Sequence, residues 1–104
     1  MTPGNNLSIQ SLNQDWCDKD VVMLHACFQL LKDCVEKEDL LSGHIDWNAD
    51  EKFRKAKAEL VALYSWWHER LEAEKVDTFV FEDHYKEDNQ MLHRLVEIRW
   101  ALWT

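Results

Sequence analysis

Two glycines and one proline in 104 residues leave this chain few places to reverse direction sharply. A sandwich or barrel of this length needs a turn about every 8–12 residues, and Gly and Pro supply most of those turns. Collagen-like, linker-like and most turn-dense all-β folds are therefore excluded. Long helices joined by few connections remain. The chain is 46% hydrophobic and 31% charged, a globular balance rather than that of a disordered segment. Its length suits a single domain, since domains commonly run to about 100–150 residues.

Three stretches carry helical periodicity. In the first, expected over about 19–41, Val21, Leu24, Phe28, Leu31 and Val35 recur at i, i+3, i+4, i+7. Met23, Cys27, Leu30 and Cys34 widen that face, and His25, Gln29, Lys32 and Glu36 mark the opposite side. Gly43 is placed to end this helix in the left-handed conformation. The second stretch, about 48–75, opens on Asn48 and Glu51, which resemble a capping box with Trp47 closing over the first turn. Phe53, Ala56, Leu60, Leu63, Tyr64, Trp67 and Leu71 form its stripe. The third, about 84–103, carries Met91, Leu95, Ile98 and Leu102 beside Leu92, Val96, Trp100 and Trp103. Residues 77–82 read as an extended connector whose Phe79 and Phe81, or else Val80, plug the core. The expected fold is all-α, a small antiparallel three-helix bundle. Residues 1–18 form a flexible N-terminal arm and 19–104 the helical domain.

Location follows from what the sequence carries. No apolar run approaches the roughly 18–20 residues of a membrane span. The opening residues lack the basic and apolar regions of a signal peptide. Cys17, Cys27 and Cys34 are an odd number in no zinc-binding spacing. On a helix Cys27 and Cys34 stand roughly 10 Å apart, too far to bridge. Reduced thiols in a cytoplasmic protein are expected.

Four segments resemble a known pattern: Ile45-Asp46-Trp47, Leu63-Tyr64-Ser65-Trp66-Trp67, the run from Tyr85 to Arg99, and Leu102-Trp103-Thr104. Together they resemble a family of small tailed-bacteriophage proteins with an LY-x-WW centre and a Y-x-E-D-x-x-M-L-x-R-L-(I/V)-x-I-R-x-x-L-W-T ending. The resemblance spans about residues 40–104. It brings no assigned site or activity. What it implies is a setting, the cytoplasm of an infected bacterium.

The residues that carry chemistry are scattered. His84 and Asp88 share a helical face, as do His93 and Glu97. The two pairs point to nearly opposite sides, so no metal site is expected. Glu69-x-x-Glu72 and Glu74-x-x-Asp77 partly resemble the carboxylate motifs of all-α, magnesium-dependent nucleotide pyrophosphatases. They lack the intervening gap of one to two dozen residues. Ser42 and Ser65 sit in no nucleophile elbow, and no phosphate-cradling glycine loop can be written. Lys52, Arg54, Lys55 and Lys57 are flanked by acids and read as a solvated helix face. No catalytic residue, cofactor or metal is expected.

The surplus of tryptophan points elsewhere. Trp16, Trp47, Trp66, Trp67, Trp100 and Trp103 are six indoles, each able to bury about 200 Å². Trp66, Arg70, Arg99 and Trp103 have the residue types of an interface hot spot. Residues 69–88 hold eight acids against three bases, so Glu82, Asp83, Glu87 and Asp88 form a candidate acidic rim. With a net charge of −8, direct nucleic-acid binding is not expected. The expected function is a non-enzymatic, phage-encoded interaction protein. It binds and modulates a host protein such as a defence or nucleic-acid-processing complex. A virion or assembly accessory protein is a related alternative, and a nucleotide-binding or Mg-dependent nucleotide-hydrolysing protein a more distant one. A homodimer, with the arm or first helix at the seam, is expected to cover leftover apolar surface.

Overall fold

A computed structural model describes residues 7–12, 17–43 and 45–102. Three α-helices carry the described chain: α1 (Lys19–Glu36), α2 (Glu51–Glu74) and α3 (Phe81–Glu97). A short 3-10 turn, Arg99–Ala101, follows. No strand occurs among the described residues, so the fold is the all-α three-helix bundle that the periodicity predicts. No described helix is long and apolar enough to cross a membrane.

The core lies where the three helices meet. Leu24, Phe28 and Leu31 of α1 face Ala56, Leu60, Leu63 and Trp67 of α2, with Leu95 of α3 completing the layer. Phe28 is its centre, with Trp67 stacked on it at 4.9 Å and Trp66 tilted against it at 5.2 Å. At the far end of the bundle, Leu40, Trp47 and Ala101 are buried, and Phe53 and Trp100 pack on one another at 5.9 Å. The Trp47 indole donates to the Leu40 carbonyl at 3.1 Å, which ties the α1–α2 connection to the core. Trp67 Nε1 is buried and finds no hydrogen-bond partner among the described residues. Its ring packing holds it there instead.

Helix ends differ from the sequence reading in instructive ways. α1 stops at Glu36, not near residue 41. The Asp33 carbonyl accepts from both Lys37 and Glu38, and Leu40 N–H reaches back to Cys34 at 2.9 Å. The left-handed residue of this turn is Asp39, at φ 52°, not Gly43. Aspartate tolerates that region better than most residues. Gly43 serves a different need: a Cβ there would stand 2.9 Å from the Asp39 carbonyl oxygen. α2 is capped by Asp50, whose side chain accepts from Phe53 N–H at 2.9 Å, rather than by Asn48. α3 begins at Phe81, earlier than expected, with Glu82 and Asp83 in its first turn, where the helix dipole favours acids.

The polar side of α1 shows the largest difference. His25 and Gln29, expected opposite the core, are buried, while Met23 is 61% exposed and Leu30 48%. The arm explains the inversion. Its described part, residues 7–12, lies against α1: Gln10 N–H donates to Gln29 Oε1 at 3.1 Å, and Ser11 bonds His25. The rest of the expected flexible arm lies mostly outside the described residues.

The turn at Asp39 yields a paired test. Asp39→Gly relieves a positive φ and should raise stability by up to about 1 kcal/mol. Gly43→Ala drives a methyl group into backbone and should lower it by about 1–2 kcal/mol. Urea denaturation midpoints of the two variants should move in opposite directions.

Candidate functional site

The densest polar arrangement lies at the end of the bundle where α1 and α3 begin and α2 ends. Its hub is Arg70, 3% exposed. Helical periodicity places Arg70 one turn beyond Trp67 on the inward face of α2, so its guanidinium enters the interior. There it binds Asp88 of α3 through two parallel bonds, Nε to Oδ1 at 2.7 Å and Nη2 to Oδ2 at 2.8 Å. Nη1 reaches Glu74 at 3.3 Å. The Phe79 ring lies 4.6 Å from the guanidinium carbon and Phe81 5.8 Å, in cation–π range. Burial alone would lower the Arg70 pKa, but Asp88 and Glu74 outweigh it and hold it above its ordinary value.

Glu74 continues the chain of contacts. Its Oε1 lies 3.0 Å from His25 Nε2, and Ser11 Oγ lies 2.6 Å from His25 Nδ1. A carboxylate can only accept, so the ring gives its Nε2 proton to Glu74. In the neutral ring Nδ1 then accepts the Ser11 hydroxyl. The His25 edge stands against Trp67 at 4.9 Å. Burial raises the Glu74 pKa, yet the bonds and charges of His25 and Arg70 prevail and hold it below the ordinary value. Arm, α1, α2 and α3 are thereby joined by one network.

Hydroxyl, imidazole and carboxylate stand here in the order of a hydrolytic relay. The Glu74 Oε1 is shared between His25 and Arg70, a permanent cation. The arrangement works as a clasp: it satisfies buried polar groups from four segments at once.

Beside the clasp lies a cleft of about 840 Å³. Its apolar lining comes from Leu12, Val21, Val76, Phe79, Phe81 and Tyr85, and its carboxylates from Asp18, Asp20, Glu74, Asp77 and Glu82. Among the described residues of that lining, Lys75 is the one base. A smaller apolar groove between α1 and α3 adjoins it and shares Asp20, Val21, Phe81 and Tyr85.

The candidate residues from the sequence do not form one patch. Arg70 and Asp88 are buried against each other rather than exposed. Trp66 is half-buried, its Nε1 donating to Glu87 at 3.1 Å. Arg99 is exposed beyond the far end of α3, about 16 Å along the helix from Asp88 at 1.5 Å per residue. Trp103 and Trp16 lie outside the described residues. Glu82 and Asp83 are exposed on the first turn of α3, and Glu82 lines the cleft. None of the four described tryptophans is exposed. Trp47 and Trp67 are buried, and Lys52 sits 4.3 Å over the half-buried Trp100. Exposed apolar area comes instead from aliphatic residues, Phe81 and Tyr85.

Other groups are occupied or apart. His84 stacks on Phe79 at 4.4 Å, and His93 pairs with Glu97 at 3.4 Å. No cluster of three or more metal-ligating side chains occurs among the described residues. Glu72 pairs with Lys75 at 2.9 Å, and Glu74 belongs to the clasp. Burial raises the Cys27 and Cys34 thiol pKa values, which disfavours the reactive thiolate. Sequence reasoning missed the clasp because Ser11, His25 and Asp88 are far apart in the chain. The one local signal was Arg70 and Glu74, an i, i+4 pair on the stripe. No family model, curated protein or solved structure matches this chain.

Arg70→Met keeps an unbranched apolar stem but removes the guanidinium and leaves two acids without their cation. It should cost about 3–5 kcal/mol, the range for breaking a buried pair; chemical denaturation measures it. The depressed Glu74 pKa gives a pH test with a defined sign. The stabilisation is complete above the ordinary value of 4.5 and is lost as pH falls through the lower folded-state value. Urea midpoints taken between pH 6 and 3 should fall more steeply for the parent protein than for Glu74→Gln.

Proposed function

We propose that this is a phage-encoded interaction protein that acts without catalysis, binding and modulating a host protein such as a defence or nucleic-acid-processing complex. One observation carries the reading. Nine large hydrophobic side chains are exposed among the described residues. Four of them, Val76, Val80, Phe81 and Tyr85, fall within ten residues at the α2–α3 connection, among Asp77, Glu82 and Asp83. Exposed apolar area rimmed by charge is the profile of a protein-binding surface. The engagement of Glu74 and Asp88 in the clasp supports a binding role over hydrolysis. The phage setting rests on the resemblance of residues 40–104, and with it the expectation of a bacterial cytoplasmic partner. Affinity capture from bacterial lysate with the purified chain as bait should recover one host protein reproducibly. Repeated recovery of none would count decisively against the reading.

The protein also pairs with itself through α1. Met23 and Leu30, two turns apart, are exposed on the stripe that holds the half-buried Cys27 and Cys34. This stripe lies about 160° around the helix from His25, at 100° per residue, away from the contacts that residues 10 and 11 make with α1. Burying apolar surface at about 25 cal/mol per Å² outweighs a repulsion that salt screens beyond about 8–10 Å. Light scattering at tens of micromolar should give twice the 12.5 kDa chain mass, and Leu30→Glu should halve it. A parent protein at the single-chain mass would refute the dimer.

A further inference from the structure

We infer that the cleft between the start of α1 and the α2–α3 connection is a docking site for a basic segment of a partner protein, one that presents lysine or arginine beside apolar side chains. The inference rests on the interaction-protein reading and names the chemistry of what that surface takes. Three observations converge on it. Among the described residues, the lining holds five carboxylates against the single Lys75. Of those five Glu74 is drawn into the clasp, and among the described residues Asp18, Asp20, Asp77 and Glu82 line the cleft without an ion-pair partner. Phe81 and Tyr85 stand between these acids and are each more than 40% exposed.

The combination selects the partner's chemistry. An acidic or neutral helix would bring like charge, or none, to four carboxylates, and like-charge juxtaposition is strongly disfavoured at interfaces. A lysine or arginine has an apolar stem and a charged head. Its stem can lie along Phe81, Tyr85 and Val76 while its head meets Asp77 or Glu82. Cation–π attraction to the exposed Tyr85 and Phe81 rings adds to this. Phe79 plays a different part. Its faces are taken by Arg70 at 4.6 Å and His84 at 4.4 Å, so it supports the floor of the cleft from within. Arg70 fixes that floor, because the same guanidinium holds Asp88 on α3 and packs under both phenylalanines. The site is therefore built in advance of binding rather than assembled by the ligand. Preorganisation of this kind lowers the ordering cost of association.

The test uses the whole chain and two fluorescein-labelled peptides with the same amphipathic pattern, one of Leu and Lys, the other of Leu and Glu. Fluorescence polarisation should show binding of the Leu/Lys peptide, weakening as salt rises, and none of the Leu/Glu peptide. Asp77→Lys combined with Glu82→Lys should weaken binding at least about ten-fold, as expected for reversing two charges at the contact. Tyr85→Ser should weaken it several-fold with the charge unchanged. Glu51→Lys with Glu97→Lys makes the same charge change at the other end of the bundle and should leave binding within about two-fold. Circular dichroism verifies that each variant is folded. Equal binding of the two peptides, no binding of either, or equal weakening by the two double variants would overturn the inference. The two readings fail separately. If lysate capture recovers a host protein equally well with Asp77→Lys/Glu82→Lys, the interaction-protein reading stands and the cleft is not its docking site. If the Leu/Lys peptide binds as described while lysate capture recovers nothing, the cleft chemistry stands and the host-directed reading falls.

Discussion

The rest of this structure depends on one buried guanidinium. Arg70 reaches two carboxylates on different helices and lies under two aromatic rings. A charge removed from water is costly, and only good geometry with every donor engaged makes it tolerable. Here the planar fork of arginine matches the Asp88 carboxylate bond for bond, which lysine could not do. The consequence is positional as much as energetic. Asp88 fixes where the first half of α3 lies against α2, and Glu74, drawn to the same cation, presents its oxygen to His25. The described part of the arm, residues 7–12, gains a place on α1 because His25 and Gln29 are there to bond Ser11 and Gln10.

Much of the fold was legible in the sequence. The α2 stripe reads directly: Ala56, Leu60, Leu63 and Trp67 recur at helical spacing and all four are buried. Phe28 and its neighbours Leu24 and Leu31 are equally plain. What misled was α1's other side. Periodicity reports which residues are apolar, not which face a neighbouring segment covers. His25 and Gln29 are polar and buried because the arm and Glu74 supply hydrogen bonds that no local pattern encodes. Met23 and Leu30 are apolar and exposed because two neighbours and an arm cannot surround a stripe that broad.

The candidate site was legible only in part. The acidic character of residues 69–88 was visible, and Glu82 proves to line the cleft. The four described tryptophans are buried or half-buried. An indole is large enough to fill a seam between helices, and Trp66, Trp67 and Trp47 do so, leaving smaller side chains outside. Arg70 and Asp88 looked like surface charges because each is ordinary in its own segment. Only their encounter across 18 residues makes them interior.

The two ends of the bundle are fastened by different physics. At one end Ser11, His25, Glu74, Arg70 and Asp88 hold the helices through charge and hydrogen bonding. At the other, Trp47, Phe53, Trp100 and Ala101 do so chiefly by apolar contact, joined by the Trp47–Leu40 hydrogen bond. Desolvating charge becomes less costly on warming, whereas apolar burial weakens on cooling and levels off when hot. The aromatic end is therefore the first to loosen in the cold, and the clasp is the fastening that best keeps its hold as temperature rises.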